Sequence, residues 1–524
     1  MMKLPPTALR WSVLTYLGLC LGYLFTTLTV ISHWFLLPVA AVWVAIAWFF
    51  RWGHPAQRTS TRRVLPWSSI PLALWWVYLY LDDSFGKVDL GAVIFHLQAG
   101  MTEHGGEGRV IAAVIFTLCA IVMLMAFTWL VRTDHRWRLW ERVGAIFLLA
   151  FNPLLFGLSQ RGASVVTEGD WLRDHYRVPS IESEPQTRPN LIYLYLESTE
   201  RTYADRDTFG DAYEDLAALG KRGTVFEGLK QLDNTGWTTA GMVATQCGVP
   251  LIPAGLKHDN QFEPLEEVLP HTQCLGDILN AQGYDLTYMG GASTRFAGKK
   301  VFYEGHGFDR ALGRDELEDQ VTPPDYLNDW GLYDDTLLDM ATERIRKLAE
   351  NDERQPYAMF ALTLAAHPPF GNPAQACLEN QGKFDGVDIL YSVKCTGWLV
   401  RRFLQRLDEE GLLDNTLVVI SSDHLSMKNS EWPQLVDAER ENTFMMLGEG
   451  VPAGKRIRRQ GSMVDVYPTV LEAMGFTLDA RAAGLGRSLF AKDPTLVEEY
   501  GLETINGHMA EEDALQTYMW KGVN

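Results

Sequence analysis

The pattern of hydrophobic and polar positions divides the chain into two parts. Five long apolar stretches occur before residue 160, at 11–31, 35–50, 64–81, 110–131 and 145–158. A helix that crosses a bilayer needs about 20 mostly apolar residues. The pattern therefore predicts a membrane domain of about five helices over residues 1–160, although the second and fifth stretches are short for a full crossing.

Loop charges predict the orientation of these helices. Arginines cluster in two loops, at Arg51, Arg58, Arg62 and Arg63 and at Arg132, Arg136, Arg138 and Arg142. The loop 82–107 is instead acidic. Because basic loops stay in the cytoplasm, the N-terminus is expected inside and everything after the fifth helix outside. A cleaved signal peptide explains the pattern less well, since the apolar stretches repeat.

The remainder of the chain has the alternating pattern of an α/β domain. Residues 161–188 are polar and predict a connector, which leaves 189–524 for the exported domain. Short apolar runs predict buried strands at 191–196, 284–289, 357–364 and 417–420. Helical patterns lie between them, at 216–222, 275–282, 333–348 and 393–410. This alternation is typical of a mostly parallel sheet packed between helices.

Polar residues capable of chemistry stand where two of these strands end. Glu197 follows the first predicted strand and Asp423-His424 follow the last, so both are expected at the carboxyl edge of the sheet, where ligands collect. Thr238 stands at the predicted start of a helix, whose backbone N–H groups favour an anion. A threonine hydroxyl is a weak nucleophile until a metal or a base activates it. Taken singly, Thr238 is better explained as an ordinary helix cap, and Glu197 is explained equally well as a strand-end surface residue. The Asp423-His424 pair is more specific, although such pairs also cap loops.

Four cysteines fall in the exported part, and four cysteines allow three pairings. The two local pairings, Cys247 with Cys274 and Cys377 with Cys395, are predicted for an oxidising compartment. A zinc site is the alternative, but these spacings lack a close C-x-x-C pair.

The charge of the chain excludes one class of partner. The net charge is −19, and no basic stripe interrupts the acidic domain. Binding to nucleic acid depends on clustered Lys and Arg, so we expect no nucleic-acid partner.

Several long motifs carry a family resemblance that covers 189–489. The most specific are the segments 197–203, 238–248, 295–299 and 328–335, together with 366–369 and 421–424. In these segments the chain resembles the phosphoglycerol and phosphoethanolamine transferases of the alkaline phosphatase and sulfatase superfamily, the branch that includes lipoteichoic acid synthase. The resemblance implies the fold of that superfamily, a mostly parallel sheet sandwiched by helices.

The resemblance also implies roles for individual residues. It implies one divalent metal, Mn²⁺ in preference to Zn²⁺ or Mg²⁺, held by Glu197, Thr238, Asp423 and His424. Thr238 would also be the nucleophile, although Thr239 beside it is an alternative. Trp330 and His367 would contact the donor head group, and His367 would protonate the leaving alcohol. Arg295 and Lys299 would hold the anionic head group or a glucan, a role that competes with plain surface charge.

The implied activity is transfer of phosphoglycerol from phosphatidylglycerol to periplasmic glucans, with release of diacylglycerol. The implied partners are these two substrates and the lipid bilayer, and the implied location is the inner membrane of a Gram-negative cell, with the catalytic domain in the periplasm. The alternative is a phosphoethanolamine transferase of the same fold that acts on glucan or lipid A. The few histidines between Thr238 and Asp423 favour phosphoglycerol. A sulfatase activity would require a Cys/Ser-x-Pro-x-Arg motif, which the sequence around Thr238 lacks.

Overall fold

The computed structural model describes residues 170–252, 266–350, 355–380, 388–448, 450–512 and 514–522, together with 69–85 and scattered positions between 114 and 155. The chain divides into two compact units, and the larger contains every residue described from 170 onward.

The strands of the larger unit are β1 (Ile181–Ser183), β2 (Asn190–Leu196), β3 (Thr224–Lys230), β4 (Asp285–Gly290), β5 (Arg310–Leu312), β6 (Tyr357–Leu362), β7 (Thr416–Ser422), β8 (Phe444–Gly448), β9 (Lys455–Ser462), β10 (Thr477–Leu478), β11 (Ala482–Ala483) and β12 (Gly486–Arg487). The helices are α1 (Ser69–Phe85) in the smaller unit and, in the larger, α2 (Trp171–His175), α3 (Arg206–Phe209), α4 (Glu214–Gly220), α5 (Thr238–Cys247), α6 (Leu275–Ala281), α7 (Lys299–Gly305), α8 (Arg314–Leu317), α9 (Asp334–Ala349), α10 (Gln375–Asn380), α11 (Ile389–Glu409), α12 (Trp432–Val436), α13 (Val466–Ala473), α14 (Leu496–Tyr500), α15 (Leu502–Glu511) and α16 (Ala514–Lys521). Short 3₁₀ turns follow several of these elements.

An eight-stranded sheet in the order β5-β4-β6-β2-β7-β8-β3-β9 organises the larger unit. β8 pairs antiparallel with both of its neighbours, while the other pairings are parallel. The α/β prediction with a mostly parallel sheet is therefore confirmed. All four predicted strands and all four predicted helices are present, with ends shifted by a few residues.

Both faces of the sheet are covered, as the apolar runs predict. Along β2, Tyr193 and Tyr195 enter one hydrophobic core and Ile192 and Leu194 enter the other, because successive side chains of a strand point to opposite faces. Helices α5, α6 and α13 contribute to the first core, and α9 and α11 contribute to the second. Because both faces of β2 are buried, the strand has no charged or amide side chain between Leu191 and Leu196.

The segment predicted as a connector takes part in this unit. Within it, β1 pairs antiparallel with β10, and Leu172 N of α2 donates a hydrogen bond to Glu512 Oε2 at 2.9 Å. The ring of Trp171 stacks on that of His508, with centroids 4.4 Å apart. The chain entering the larger unit is thus fixed to its C-terminal helices.

The predicted membrane helices fall largely outside the described residues. The stretches 11–31 and 35–50 lie wholly outside them, and 110–131 and 145–158 are described at scattered positions only. The third stretch overlaps α1, a helix of 17 residues. Among the helices that the structure describes, none combines the length and the apolar character needed for a membrane crossing.

Candidate active site

Parallel pairing of two central strands brings the predicted metal ligands together. Leu196, the last residue of β2, is in register with Ser422, the last residue of β7. Glu197 and Asp423 therefore leave the same edge of the sheet side by side, with His424 next in the chain. One ligand atom from each of these three residues lies within 4.8 Å of the others, and all three side chains are buried. We call Glu197, Asp423 and His424 the carboxyl-end cluster.

Short backbone contacts fix the orientation of this cluster. Asp423 Oδ1 accepts hydrogen bonds from the backbone N–H of Ser198 at 2.9 Å and of His424 at 2.8 Å. Glu197 Oε1 accepts from the Ser198 hydroxyl at 2.8 Å. His424 Nδ1 lies 2.7 Å from the carbonyl oxygen of Leu425, a geometry that places the ring proton on Nδ1 and leaves the Nε2 lone pair for a ligand.

Two atoms of the cluster are buried without a hydrogen-bond partner among the described residues. They are Asp423 Oδ2 and His424 Nε2, which are 3.3 Å apart. Buried polar atoms are nearly always satisfied, so each such orphan calls for a ligand or water. Two carboxylates and one imidazole suit a borderline or hard divalent cation. The residues present therefore fit a metal site.

The electrostatics of the cluster lead to the same conclusion. Burial and, to a smaller extent, the neighbouring Asp423 carboxylate together raise the pKa of Glu197 to about 8, while His424 opposes the shift. Burial likewise raises the pKa of Asp423 to about 6. Two carboxylates buried this close repel one another when both are ionised, and a bound cation removes that repulsion.

Helix α5 begins at the cluster and presents one of its two threonines to it. Thr238 Oγ1 lies 3.4 Å from Glu197 Oε2 and is half-buried. Thr239 instead donates a hydrogen bond from Oγ1 to the backbone carbonyl of Ala297 at 2.8 Å and is fully buried. Of the two adjacent hydroxyls, the geometry therefore brings Thr238 to the predicted ligands and directs Thr239 away from them.

A glycine allows α5 to approach so closely. A Cβ atom at Gly241 would lie 1.7 Å from the backbone oxygen of Asp423. No side chain can be placed there without moving the helix or the strand end. The start of α5 therefore rests directly on the backbone of a predicted ligand.

A second group of metal-binding residue types occurs elsewhere in the domain, and we call Cys274, Asp277 and His306 the disulfide cluster. Cys274 is bonded to Cys247, as predicted, and the second predicted disulfide, Cys377–Cys395, is also present. His306 Nδ1 is 2.8 Å from Asp277 Oδ2, and its Nε2 is 2.9 Å from the carbonyl oxygen of Val268. Because every ligand atom already has a partner, this cluster is structural.

Aromatic contacts connect the other predicted site residues. The rings of Trp330 and His367 lie 4.0 Å apart, and Phe296 packs against Trp330 with centroids 5.8 Å apart. Phe296 also lies under the Lys299 amine, whose Nζ is 5.1 Å from the ring centroid. His367 Nδ1 is 2.9 Å from the carbonyl oxygen of Pro368. Lys299, Trp330 and His367 thus belong to one continuous wall, joined by Phe296, which the sequence did not single out.

The two predicted basic residues differ strongly in environment. Lys299 is 2% exposed and donates a hydrogen bond from Nζ to the carbonyl oxygen of Phe296 at 2.8 Å. Burial lowers the pKa of this amine to about 8, an effect opposed by the negative charges of Glu197 and Asp423. The Arg295 side chain is 62% exposed and faces Asp315 at 4.0 Å. A direct role near the carboxyl-end cluster is therefore better supported for Lys299 than for Arg295.

Buried carboxylates that sequence reasoning missed hold the loops of the site. Asp334 accepts backbone N–H bonds from Leu364 at 2.6 Å and Ala365 at 3.0 Å, which fixes the segment leading to His367. Glu200 accepts from Arg440 Nε at 2.9 Å and from the backbone of Ser426 at 3.1 Å, which fixes the loop after His424. Both residues lie within the motif segments 197–203 and 328–335, but their roles could not be assigned from sequence, because their partners lie far away in the chain.

Comparisons with known proteins match the larger unit. A family model described as Sulfatase covers residues 189–476. A protein named phosphoglycerol transferase I from Citrobacter koseri is 33% identical over 422 residues, which are 79% of this chain and 54% of the relative. A protein of the same name from Escherichia coli O127:H6 is 32% identical with the same coverage. The chain spans about half the length of these curated relatives.

Solved structures show weaker similarity. A protein in the alkaline phosphatase superfamily from Vibrio parahaemolyticus has a TM-score of 0.49 and 19% identity, over 65% of this chain and 78% of that one. The lipoteichoic acid synthase LtaP from Listeria monocytogenes has a TM-score of 0.46 and 19% identity, over 59% and 79% of the two chains.

Proposed function

The chain belongs to the sulfatase family, and on that premise we propose that it transfers phosphoglycerol from phosphatidylglycerol to a periplasmic glucan through a covalent intermediate on Thr238. The observation that carries the proposal is the position of the Thr238 hydroxyl, 3.4 Å from Glu197 in a cluster with two unsatisfied ligand atoms. The relatives named phosphoglycerol transferase I support the choice of transferred group.

In this proposal Glu197, Thr238, Asp423 and His424 hold one divalent cation, with Mn²⁺ preferred over Zn²⁺ and Mg²⁺. Such a cation, when bound, lowers the pKa of the Thr238 hydroxyl and offsets negative charge on the phosphoryl group. The chain itself supplies the orientation. Glu197 and Asp423 are fixed by hydrogen bonds from Ser198, and the Nδ1 contact of His424 directs its Nε2 toward both carboxylates.

The first half of the reaction transfers the head group to the enzyme. The Thr238 hydroxyl loses its proton to solvent, and its Oγ1 forms a bond to the phosphorus of phosphatidylglycerol. The bond from phosphorus to the diacylglycerol oxygen breaks, and protonated His367 donates a proton to that oxygen. The backbone N–H groups at the start of α5 and the Lys299 amine stabilise the negative charge of the phosphoryl oxygens.

The second half regenerates the enzyme. A hydroxyl oxygen of the glucan attacks phosphorus while neutral His367 accepts its proton, and the bond to Thr238 Oγ1 breaks. Thr238 then regains a proton from solvent. His367 Nδ1 contacts the Pro368 carbonyl oxygen at 2.9 Å, which orients the ring, and in this proposal Nε2 exchanges the proton in both halves.

We also propose that the protein is anchored in the inner membrane by its apolar N-terminal region, with the sheet-containing domain in the periplasm. The two disulfides support an oxidising compartment. The donor lipid and the released diacylglycerol would then remain in the adjacent bilayer while the glucan is soluble.

The test uses the full chain purified in lipid nanodiscs. Nanodiscs contain either phosphatidylglycerol or phosphatidylethanolamine with a labelled head group, with and without a neutral glucan. We expect diacylglycerol release and label transfer to glucan from phosphatidylglycerol with added Mn²⁺. Release from phosphatidylethanolamine alone would overturn the proposal in favour of phosphoethanolamine transfer.

A further inference from the structure

A groove of about 530 Å³ lies between a loop and the start of helix α10, two segments that adjoin residues of the proposed active site in the chain. One segment, 325–333, contains Trp330, and the other, 373–379, follows His367 in the chain. The lining includes Asp325, Tyr326, Tyr333, Gln375, Leu378 and Glu379. We call it the tyrosine groove. Its volume is within the range of about 300–1,000 Å³ that is typical of small-molecule sites.

Two stacked tyrosines form one wall of the groove. The rings of Tyr326 and Tyr333 are 4.6 Å apart and inclined by 23°. The Tyr326 hydroxyl donates to Asp335 Oδ2 at 2.9 Å and accepts from the backbone N–H of Gln375 at 2.7 Å. Because both hydrogen-bonding functions of this hydroxyl are engaged, its ring is held in a fixed orientation. A rigid aromatic surface binds a flat apolar face with little loss of side-chain entropy.

Exposed apolar surface extends this wall. Beyond residue 170, the described large apolar side chains that remain exposed are Val178, Phe370, Leu378 and Val436. Leu378 lines the groove from α10, and Phe370 lies in the loop that leads from β6 to α10. Leu378 therefore adds exposed apolar surface to the groove beside the two tyrosine rings.

The charge of the groove selects among ligands. Asp325 and Glu379 contribute carboxylates, and among the described lining residues none is basic. A phosphate or other anion would be repelled there. Carboxylates and amides are good acceptors for hydroxyl groups, and Glu379 Oε1 already accepts from Gln375 Nε2 at 2.8 Å. Aromatic faces combined with carboxylates suit a neutral ligand that has apolar C–H faces and many hydroxyls, which is the chemistry of a saccharide.

The position of the groove links it to phosphoryl transfer. β6 is parallel to β2, with Leu362 in register with Tyr195, so the loop after β6 leaves the same sheet edge as Glu197. Asp334, next to Tyr333, binds the backbone of Leu364 and Ala365 in that loop. The tyrosine wall and the segment leading to His367 are thereby fastened to each other.

We propose that the tyrosine groove is the acceptor subsite, where a neutral saccharide binds with one hydroxyl directed toward the active site. This inference rests on the proposed function, since it names the place where the glucan of that reaction is recognised. It assigns acceptor recognition to residues that line the groove, such as Tyr326, Tyr333 and Glu379, and it separates them from Trp330 and His367, the residues expected to contact the donor head group.

The experiment measures saccharide binding directly. The full chain in nanodiscs of neutral lipid is titrated by calorimetry with a linear, uncharged gluco-oligosaccharide, and choline is titrated separately as a small cation. Three variants are compared with the wild type: Tyr333→Ala, Glu379→Gln and, as a matched control, Glu409→Gln. Glu409 is exposed at the opposite end of α11 from the Cys377–Cys395 disulfide.

We expect the wild type and Glu409→Gln to bind the oligosaccharide with the same affinity. Loss of one hydrogen bond to a charged acceptor corresponds to about a tenfold loss of affinity, which we expect for Glu379→Gln, and Tyr333→Ala should lose at least as much. The acceptor KM in the transfer assay should rise in parallel. Glu379 is exposed, so its variant reports on binding even if Tyr333→Ala folds poorly.

Two results would overturn the inference. Equal oligosaccharide affinity in all four proteins would place acceptor recognition elsewhere, and choline binding that Glu379→Gln removes, without oligosaccharide binding, would make the groove a cation site. Failure of the proposed function is distinguishable, because it would show as absent diacylglycerol release from phosphatidylglycerol in an assay that contains no saccharide.

Discussion

The carboxyl-end cluster and the disulfide cluster contain similar side chains but differ in what those side chains already contact. Each combines one histidine with two further residues that can bind a metal, and each is largely buried. In the disulfide cluster, Cys274 is consumed by a covalent bond and both nitrogens of His306 have partners. In the carboxyl-end cluster, Asp423 Oδ2 and His424 Nε2 face each other and have no hydrogen-bond partner among the described residues.

The difference teaches that unsatisfied atoms, rather than proximity of ligand types, distinguish a metal site from a structural network. A buried hydrogen-bond network that is complete stabilises the fold. A buried network that is incomplete costs free energy, unless a ligand completes it. In the proposed active site, the unsatisfied atoms belong to the same cluster that Thr238, the proposed nucleophile, approaches.

The largest expected effect comes from removing the hydroxyl of Thr238, the proposed nucleophile. Thr238→Ala should lower turnover by about 10³-fold or more, since the Thr239 hydroxyl points away from the cluster and the Ser198 hydroxyl already donates to Glu197 Oε1. Thr239→Ala is the matched control and should retain most activity, because its hydroxyl only bonds the Ala297 carbonyl. Turnover is measured as diacylglycerol release. The reverse result, with Thr239→Ala inactive and Thr238→Ala active, would show that the assignment is wrong.

The next effect separates the two clusters by metal binding. Excess Mn²⁺ at about 100 times its dissociation constant should stabilise the wild type by about 2.7 kcal/mol, and a chelator should reverse this. Asp423→Asn should lose the stabilisation. Asp277→Asn should keep it and lose about 1–3 kcal/mol of stability, since the mutation leaves His306 Nδ1 poorly paired.

Thermal unfolding with Mn²⁺ and with chelator measures both quantities. Loss of the Mn²⁺ stabilisation in Asp277→Asn, or its retention in Asp423→Asn, would contradict the assignment of metal binding to the carboxyl-end cluster.

Removing the Cys247–Cys274 disulfide should affect stability but not the metal site. The bond joins residues 27 apart in the sequence, and Cys→Ser at both positions should cost about 2–4 kcal/mol. Removal of Cys377–Cys395, which joins residues 18 apart, should cost slightly less and serves as the control. Denaturant titration gives the free energies. A lost Mn²⁺ effect in the Cys247/Cys274 variant would show that the disulfide cluster contributes to metal binding.

The smallest effect concerns Lys299, whose buried amine has a pKa lowered to about 8. From that pKa up to the value of about 10.4 expected in the unfolded chain, the unfolded state binds one more proton than the folded state. Stability contributed by this group therefore rises with pH across this window and is lowest below it. Lys299→Met should remove that rise, gain on the order of 1–3 kcal/mol at pH 7 and lose activity.

Denaturant titrations of Lys299→Met at several pH values between 7 and 10 check this, with Lys300→Met as a half-exposed control. A difference between Lys299→Met and the wild type that stays constant with pH would contradict the assignment of the lowered pKa to this amine.

Much of the fold was accessible from local sequence pattern. The strands that end at Glu197 and Asp423 are uninterrupted apolar runs, and a buried parallel strand has that composition. The antiparallel β8 and the edge strand β9 were not predicted. β9 alternates basic residues with less exposed ones, and its pairing with β3 depends on contacts about 230 residues apart.

The site was predicted in part for the same reason. Residues at strand ends can be placed by periodicity, so Glu197, Asp423 and His424 were found. The choice between Thr238 and Thr239 depends on helix rotation, which a contact with Ala297 decides. The supporting pair Glu200 and Arg440 is separated by 240 positions, and no local pattern predicts such a pair.

The contact at Gly241 limits how the sequence of this protein can vary. The backbone oxygen of Asp423 occupies the space where a side chain at position 241 would lie. The helix that carries Thr238 is therefore positioned directly against the loop that carries Asp423. Because this contact involves backbone atoms, changes in surrounding side chains, including those that recognise a different acceptor, leave it unchanged. Residues that recognise the substrate can therefore change while the position of Thr238 relative to Asp423 is kept. A Cβ atom at position 241 would disturb that position.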